Sequence, residues 1–157
     1  MKHIITATVE NQPGVLARIV GLISGRGFNI ETLNVAPTQE PNISRMTMTV
    51  PGDDRVLEQV TKQLNKLVDV IKVTDLTTEK YLDRELVLME VAAPAQRRSE
   101  ILEIVRLVKA EIAAVQVKSL TIQMVGGKDE VDEFLLLMKP YKVLSLARSG
   151  AIAVGRH

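Results

Sequence analysis

The residues best suited to chemistry sit where the first strand gives way to the first helix, in the run Asn11-Gln12-Pro13-Gly14-Val15-Leu16. A helix N-terminus presents unpaired backbone N–H groups and a partial positive charge, a combination that can hold a carboxylate. Gly14 has no Cβ and lets a ligand come close to the main chain. Asn11 offers an amide that donates and accepts, and Val15 and Leu16 supply apolar surface. Such a place suits the carboxylate, amine and short aliphatic side chain of a free amino acid. The same residues also fit a plain structural role, with Asn11 capping the helix, Pro13 opening its first turn and Gly14 packing.

Elsewhere the chemistry thins out. The two histidines, His3 and His157, lie at the chain ends, so neither a Ser-His-Asp arrangement nor a His-rich metal site is suggested. His3 reads as a strand residue and His157 as a frayed terminus. Asp129, Glu130, Asp132 and Glu133 could be imagined around a metal, but they open a predicted helix, where acidic residues suit the dipole. Gly126-Gly127 has neither a GxGxxG nor a Walker pattern around it. The expectation is no catalytic residue, no metal ligand and no cofactor-binding residue in this chain.

Composition points the same way. The net charge is +1, from 20 basic and 19 acidic residues, so no large positive field exists to hold nucleic acid or an anionic membrane. Cysteine is absent, which removes disulfides, thiolate metal sites and cysteine nucleophiles. The aromatic residues are Phe28, Tyr81, Phe134 and Tyr141, too few for a sheet that stacks single-stranded bases. An apolar fraction of 46% with 25% charged residues belongs to a globular protein. The N-terminus lacks a signal-peptide pattern and no apolar run reaches spanning length, so the expected setting is cytoplasmic, with no membrane and no nucleic acid as partner.

The elements that must position the first junction follow from periodicity. His3–Glu10 alternates as a strand, and Val15, Leu16, Ile19, Val20 and Ile23 recur at helical spacing until Gly25 and Gly27 end the helix. Phe28–Ala36 and Ile43–Val50 read as strands, the turn Pro51-Gly52-Asp53-Asp54 starts a helix carrying Val56, Leu57, Val60, Leu64 and Leu67, and Val70–Leu76 closes the unit. The run TTEKYLD from Thr77 to Asp83 is polar and aperiodic. After it the order returns: strand Glu85–Ala92, helix Ser99–Lys109, strands Ile112–Val117 and Leu120–Val125, helix Lys128–Met138 and strand Tyr141–Ala147. The fold class is therefore α+β, two tandem ferredoxin-like βαββαβ units. Residues 1–77 form the first domain, 78–83 the linker and 84–157 the second. In such a sheet the second strand lies at an edge, so Phe28–Ala36 is predicted to pair with its mate in a second copy, unless Glu31 and the proline loop guard it.

The run NQPGVLARIVGLISGRGFNIETLNVAPT, with SRMTMTV and LEQVTKQLNKLVDVIKV after it, resembles the ACT domain of the small, regulatory subunit of acetohydroxyacid synthase (acetolactate synthase). RGFNIETLNV, SRMT and KQLNKLVDVIKV carry the resemblance most specifically. It continues through REL at Arg84 to Leu86 and ends in LARSGAIAVGR, although SGAIAVGRH departs from the family's commoner TG-x-x-A ending. The resemblance implies a non-catalytic subunit that activates a separate catalytic chain using thiamine diphosphate, magnesium and FAD. It implies feedback inhibition by valine in branched-chain amino-acid synthesis, and a homodimer through the ACT domains with the effector at the interface. Carried over residue by residue, Asn11, Gly14, Val15 and Leu16 match the ligand-binding turn. Asn29 and Ile30 match the strand that completes the pocket from the other subunit. The rival expectation is an ACT-domain sensor of another amino acid that controls a different enzyme. A small ferredoxin-like phosphatase would need an arginine in the loop Glu10–Gly14, which contains none.

Overall fold

The computed structural model of the chain describes residues 2–156; the expectation for His157 lies outside them. Its elements run β1 (Lys2–Glu10), α1 (Val15–Gly25), β2 (Thr32–Pro37), β3 (Ile43–Pro51), α2 (Asp54–Asn65), β4 (Val70–Asp75), β5 (Tyr81–Ala92), α3 (Ala95–Leu107), β6 (Glu111–Val115), β7 (Ser119–Gly126), α4 (Lys128–Leu137), β8 (Val143–Arg148) and β9 (Ile152–Gly155). The class is α+β, and the order strand-helix-strand-strand-helix-strand occurs twice. The chain divides into two compact units, residues 2–82 with 151–156, and residues 83–150. The division falls inside the polar run read as linker, whose last residues already belong to β5.

In the first unit the sheet order is β2-β3-β1-β4, with β1 antiparallel to both of its neighbours. Strand alternation sends Ile5, Ala7 and Val9 to the same face as Met46, Met48 and Val50. Helix α1 lays Val15, Ile19 and Ile23 on that face and α2 adds Val60 and Leu64, all of them buried. The helices themselves are decided locally. Asp53 caps α2 by accepting from Val56 N–H at 3.0 Å, with Asp54 in the first turn and Lys62 in the last. Asp53→Ala is expected to cost about 1 kcal/mol and lower the melting temperature by roughly 2–4 °C, read by thermal unfolding.

Helix α1 ends in a Schellman closure: Gly27 has φ 79°, its N–H donates to Ser24 C=O, and Phe28 N–H donates to Ile23 C=O. That closure corrects the second strand. Phe28 is spent on the helix end and packs against the core, so β2 begins at Thr32 rather than Phe28. Strand β2 is the edge expected of it, bonded on one side to β3.

In the second unit the order is β6-β7-β5-β8. Val87, Met89, Val91, Leu120, Ile122 and Met124 face Ile101, Val105, Val131, Phe134 and Met138 from the two helices. Helix α3 starts at Ala95, four residues before the expected Ser99. Its first turn is held by the Arg98 guanidinium, which donates to the carbonyls of Ala93, Gln116 and Val117. Tyr141 lies under Arg97, 4.4 Å from guanidinium carbon to ring centroid, and donates to Glu100. Burial and the Glu100 carboxylate hold its phenol above the ordinary range.

The strand that no periodicity announced is β9. It pairs with β5 and packs with the first unit: Ala153 is buried beside Ile4 and Leu76, and Tyr81 closes over them. Arg45 Nη2 donates to Ala153 C=O at 2.8 Å, and Arg156 N–H donates to Lys80 C=O at 2.8 Å. No helix among the described residues is long and apolar enough to cross a membrane.

Candidate functional site

The junction singled out by the sequence is the end of β1, the bend Asn11-Gln12-Pro13-Gly14 and the start of α1. Its backbone is unusual at one point. Gly14 precedes the helix with φ 84° and ψ −10°, the left-handed region, where any other residue carries strain of roughly 1–2 kcal/mol. This lets the chain leave an extended strand and enter the helix within a few residues. Val15 N–H turns back to Gln12 C=O at 3.3 Å and Arg18 N–H takes Gly14 C=O at 3.0 Å. The amides of Leu16 and Ala17 are among those that a helix leaves unpaired at its first turn.

Asn11 does not cap α1, which corrects the structural half of the sequence reading. Its Nδ2 donates to Pro41 C=O at 2.9 Å and its N–H to Asn42 C=O at 2.8 Å, so it ties the bend to the β2–β3 loop. Gly14 takes the cap position and makes no side-chain cap bond. The Oδ1 of Asn11 is left to accept.

Between this bend and the strands lies a half-open groove of about 310 Å³, part of it open to solvent. Val15, Ile19 and Met46 make its buried floor; Leu16 and Val35 flank it, each part-exposed. Glu10, Asn11, Gln12 and Ser44 give it a polar rim. Arg18 stands one turn into the helix, near where a Gly14 Cβ would lie, and is paired with Asp69 through both Nε and Nη2. An apolar floor, a polar rim and free helix amides can hold a small zwitterion with an aliphatic side chain.

Of the six ligand-binding residues expected, Asn11, Val15 and Leu16 line the groove and Gly14 shapes its backbone. Asn29 and Ile30 do not reach it within this chain. They lie past the other end of α1, whose 11 residues span about 16 Å; Asn29 is exposed and Ile30 packs on the core. Sequence reasoning missed Val9, Glu10, Gln12 and Ile19 beside the bend, and Val35, Ser44 and Met46 from the strands. Val35 and Met46 are direct partners across the β2–β3 ladder; nothing local marks them until that register is known.

The remaining candidates take ordinary roles. His3 is buried, with Nε2 against Gly52 C=O at 3.1 Å. Glu130 accepts from Gly127 N–H and Asp132 pairs with Lys128. Among the described residues no group of three or more His, Asp or Glu side chains could hold a metal.

Two family models match. Residues 5–72 match the AHAS small subunit-like ACT domain, and residues 84–157 match the small subunit of acetolactate synthase. A probable acetolactate synthase small subunit of Archaeoglobus fulgidus is 49% identical over 156 residues, covering 99% of this chain and 98% of that one. The acetolactate synthase small subunit of Haemophilus influenzae is 45% identical over 157 residues, covering 99% and 96%. The crystal structure of the acetolactate synthase small subunit from Thermotoga maritima is similar at a TM-score of 0.90, with 33% identity, 100% of this chain and 98% of that one covered.

Proposed function

This chain belongs to the acetolactate synthase small-subunit family, and from that premise we propose that it works without catalytic groups of its own. It activates the thiamine-diphosphate-dependent catalytic subunit, which carries the magnesium and FAD, and confers feedback inhibition by valine in branched-chain amino-acid biosynthesis. The observation that carries the effector half is the groove at the start of α1, with left-handed Gly14 beneath free amides and a floor of Val15, Ile19 and Met46. The carboxylate of valine meets the amides of Leu16 and Ala17, its ammonium meets Asn11 Oδ1 and neighbouring carbonyls, and its isopropyl group lies on the floor.

The ACT domains form a homodimer in this reading. Strand β2 is an edge with one row of backbone groups unbonded to β3. Antiparallel pairing about a two-fold axis sets the start of one β2 beside the end of the other. Asn29 and Ile30 precede β2, and Val35 near its end flanks the groove. A second copy therefore brings its own Asn29 and Ile30 toward the groove of the first, which is how residues so far apart in one chain serve one site. Inhibition follows by linkage: valine binds one arrangement of the dimer more tightly, and the catalytic subunit is activated by the other.

Thermal unfolding against a panel of amino acids tests this. Valine at about 100 times its dissociation constant should stabilise the folded protein by about 2.7 kcal/mol, a rise of roughly 5–11 °C. Sedimentation of the same samples should give twice the mass of one chain. A shift only with an amino acid outside the branched-chain set would transfer the groove to another effector, and a monomer that still binds valine would remove the interface site.

A further inference from the structure

The fold ties the effector groove to the far end of the chain through a single side chain. Ser44 and Met46 face the groove from β3, both buried. Arg45 lies between them, so strand alternation sends it to the opposite face of the sheet. There its guanidinium donates to Ala153 C=O at 2.8 Å, across 108 residues of sequence. Ala153 is the buried residue of β9, wedged beside Ile4 and Leu76, and the strand is pinned further on by Arg156 N–H to Lys80 C=O.

Three features make this more than a packing contact. The bond joins a charged donor to a main-chain acceptor, the stronger class of hydrogen bond. Arg45 is in register with Ala36 on the edge strand β2 and with Thr8 on β1. A shift of β3 that reshapes the groove therefore moves its anchor. Strand β9 is also short, four residues with Ile152 and Val154 exposed, so Arg45 is one of a small set of contacts that seat it, beside the pairing with β5 and the burial of Ala153.

We infer that Arg45 is a positioning residue that couples occupancy of the groove to the seating of the C-terminal strand β9 on the first sheet. Effector on one face of β3 and β9 on the other bias the same strand, so each alters the other's binding. The inference rests on the groove described above and not on which amino acid fills it.

Hydrogen exchange on the full chain reads the coupling without any ligand. In Arg45→Met, amides of residues 152–155 should exchange about tenfold faster, as loss of one bond to a charged group implies. The hydrogen-bonded amides of Asn11 and Val15, at the bend beside the groove, should also speed up. Arg45→Lys, which can still donate to Ala153, should restore both segments. A chain ending at Gly150 should speed exchange at Asn11 and Val15 with Arg45 intact, while Ile5 and Ala7 in the central strand stay protected. Unchanged exchange at Asn11 and Val15 in both the truncated chain and Arg45→Met overturns the coupling, whatever happens at the tail. Adding valine then separates the two readings. Slower exchange at residues 152–155 in wild type, lost in Arg45→Met, extends the coupling to the effector. Absence of any valine effect on stability removes valine as effector and leaves the ligand-free result to decide the coupling.

Discussion

Gly14→Asp is expected to abolish the valine response of the complex while leaving a folded chain. Two physical effects separate at this position. Any side chain at φ 84° carries roughly 1–2 kcal/mol of backbone strain, so melting should fall by roughly 2–8 °C. An acidic side chain at a helix N-terminus offsets part of that loss. The second effect is specific to the carboxylate. It would occupy the free amides of α1 beside Arg18, whose Nη1 lies 3.4 Å from where a Cβ would stand. The effector's own carboxylate is then displaced and repelled, and affinity should drop about 100-fold or more, the counterpart of roughly 3 kcal/mol. Gly14→Ala isolates the strain: it should melt as low or lower yet keep a weakened response. Inhibition assays with the catalytic subunit, run beside thermal unfolding, read both effects. A Gly14→Asp chain with full valine sensitivity would mean that the carboxylate is held elsewhere.

Phe134→Ala should give the largest loss of stability. Phe134 is fully buried, at 0% exposure, among Ile122, Val131 and Met138 in the core of the second unit. Truncating a buried Phe to Ala costs about 3–5 kcal/mol, the transfer energy plus the cavity left behind. That is a large share of the roughly 5–15 kcal/mol that holds a typical domain, and the urea midpoint should fall with the slope unchanged. A loss below about 1 kcal/mol would mean that neighbouring side chains collapse into the space. Comparing inhibition with activation at a temperature where this variant is partly unfolded tells which of the two needs the second unit.

The two halves of the fold were legible to different degrees. Strands β1, β3 and β7 carry apolar residues at every second position, although β1 is buried on both faces, and the Asp53 cap is local, so their positions follow from neighbours in sequence. Where the reading failed, the deciding contact is distant. Asn11 looks like a cap, but its amide is taken by Pro41, 30 residues away. Helix α3 begins before Ser99 because Arg98 reaches carbonyls at Gln116 and Val117. Strand β9 is four residues long and exists through its pairing and through Arg45, 108 residues back. The candidate site divides in the same way. Gly14, Val15 and Leu16 announce themselves by type and spacing, while Val35 and Met46 enter only once the β2–β3 register is set. Asn29 and Ile30 do not line the groove within this chain.

The placement of the two tyrosines gives the molecule a pair of built-in reporters. The chain has no tryptophan, so its near-ultraviolet and fluorescence signals come chiefly from Tyr81 and Tyr141. One belongs to each compact unit. Tyr141 sits against a guanidinium and a carboxylate, an environment that changes as soon as α3 lets go of it. Tyr81 packs over Ala153 and so watches the terminal strand directly. Replacing either with phenylalanine leaves a chain whose remaining tyrosine signal belongs to a single place: with Tyr141 removed, loosening of the last strand becomes an optical event that can be followed in a cuvette.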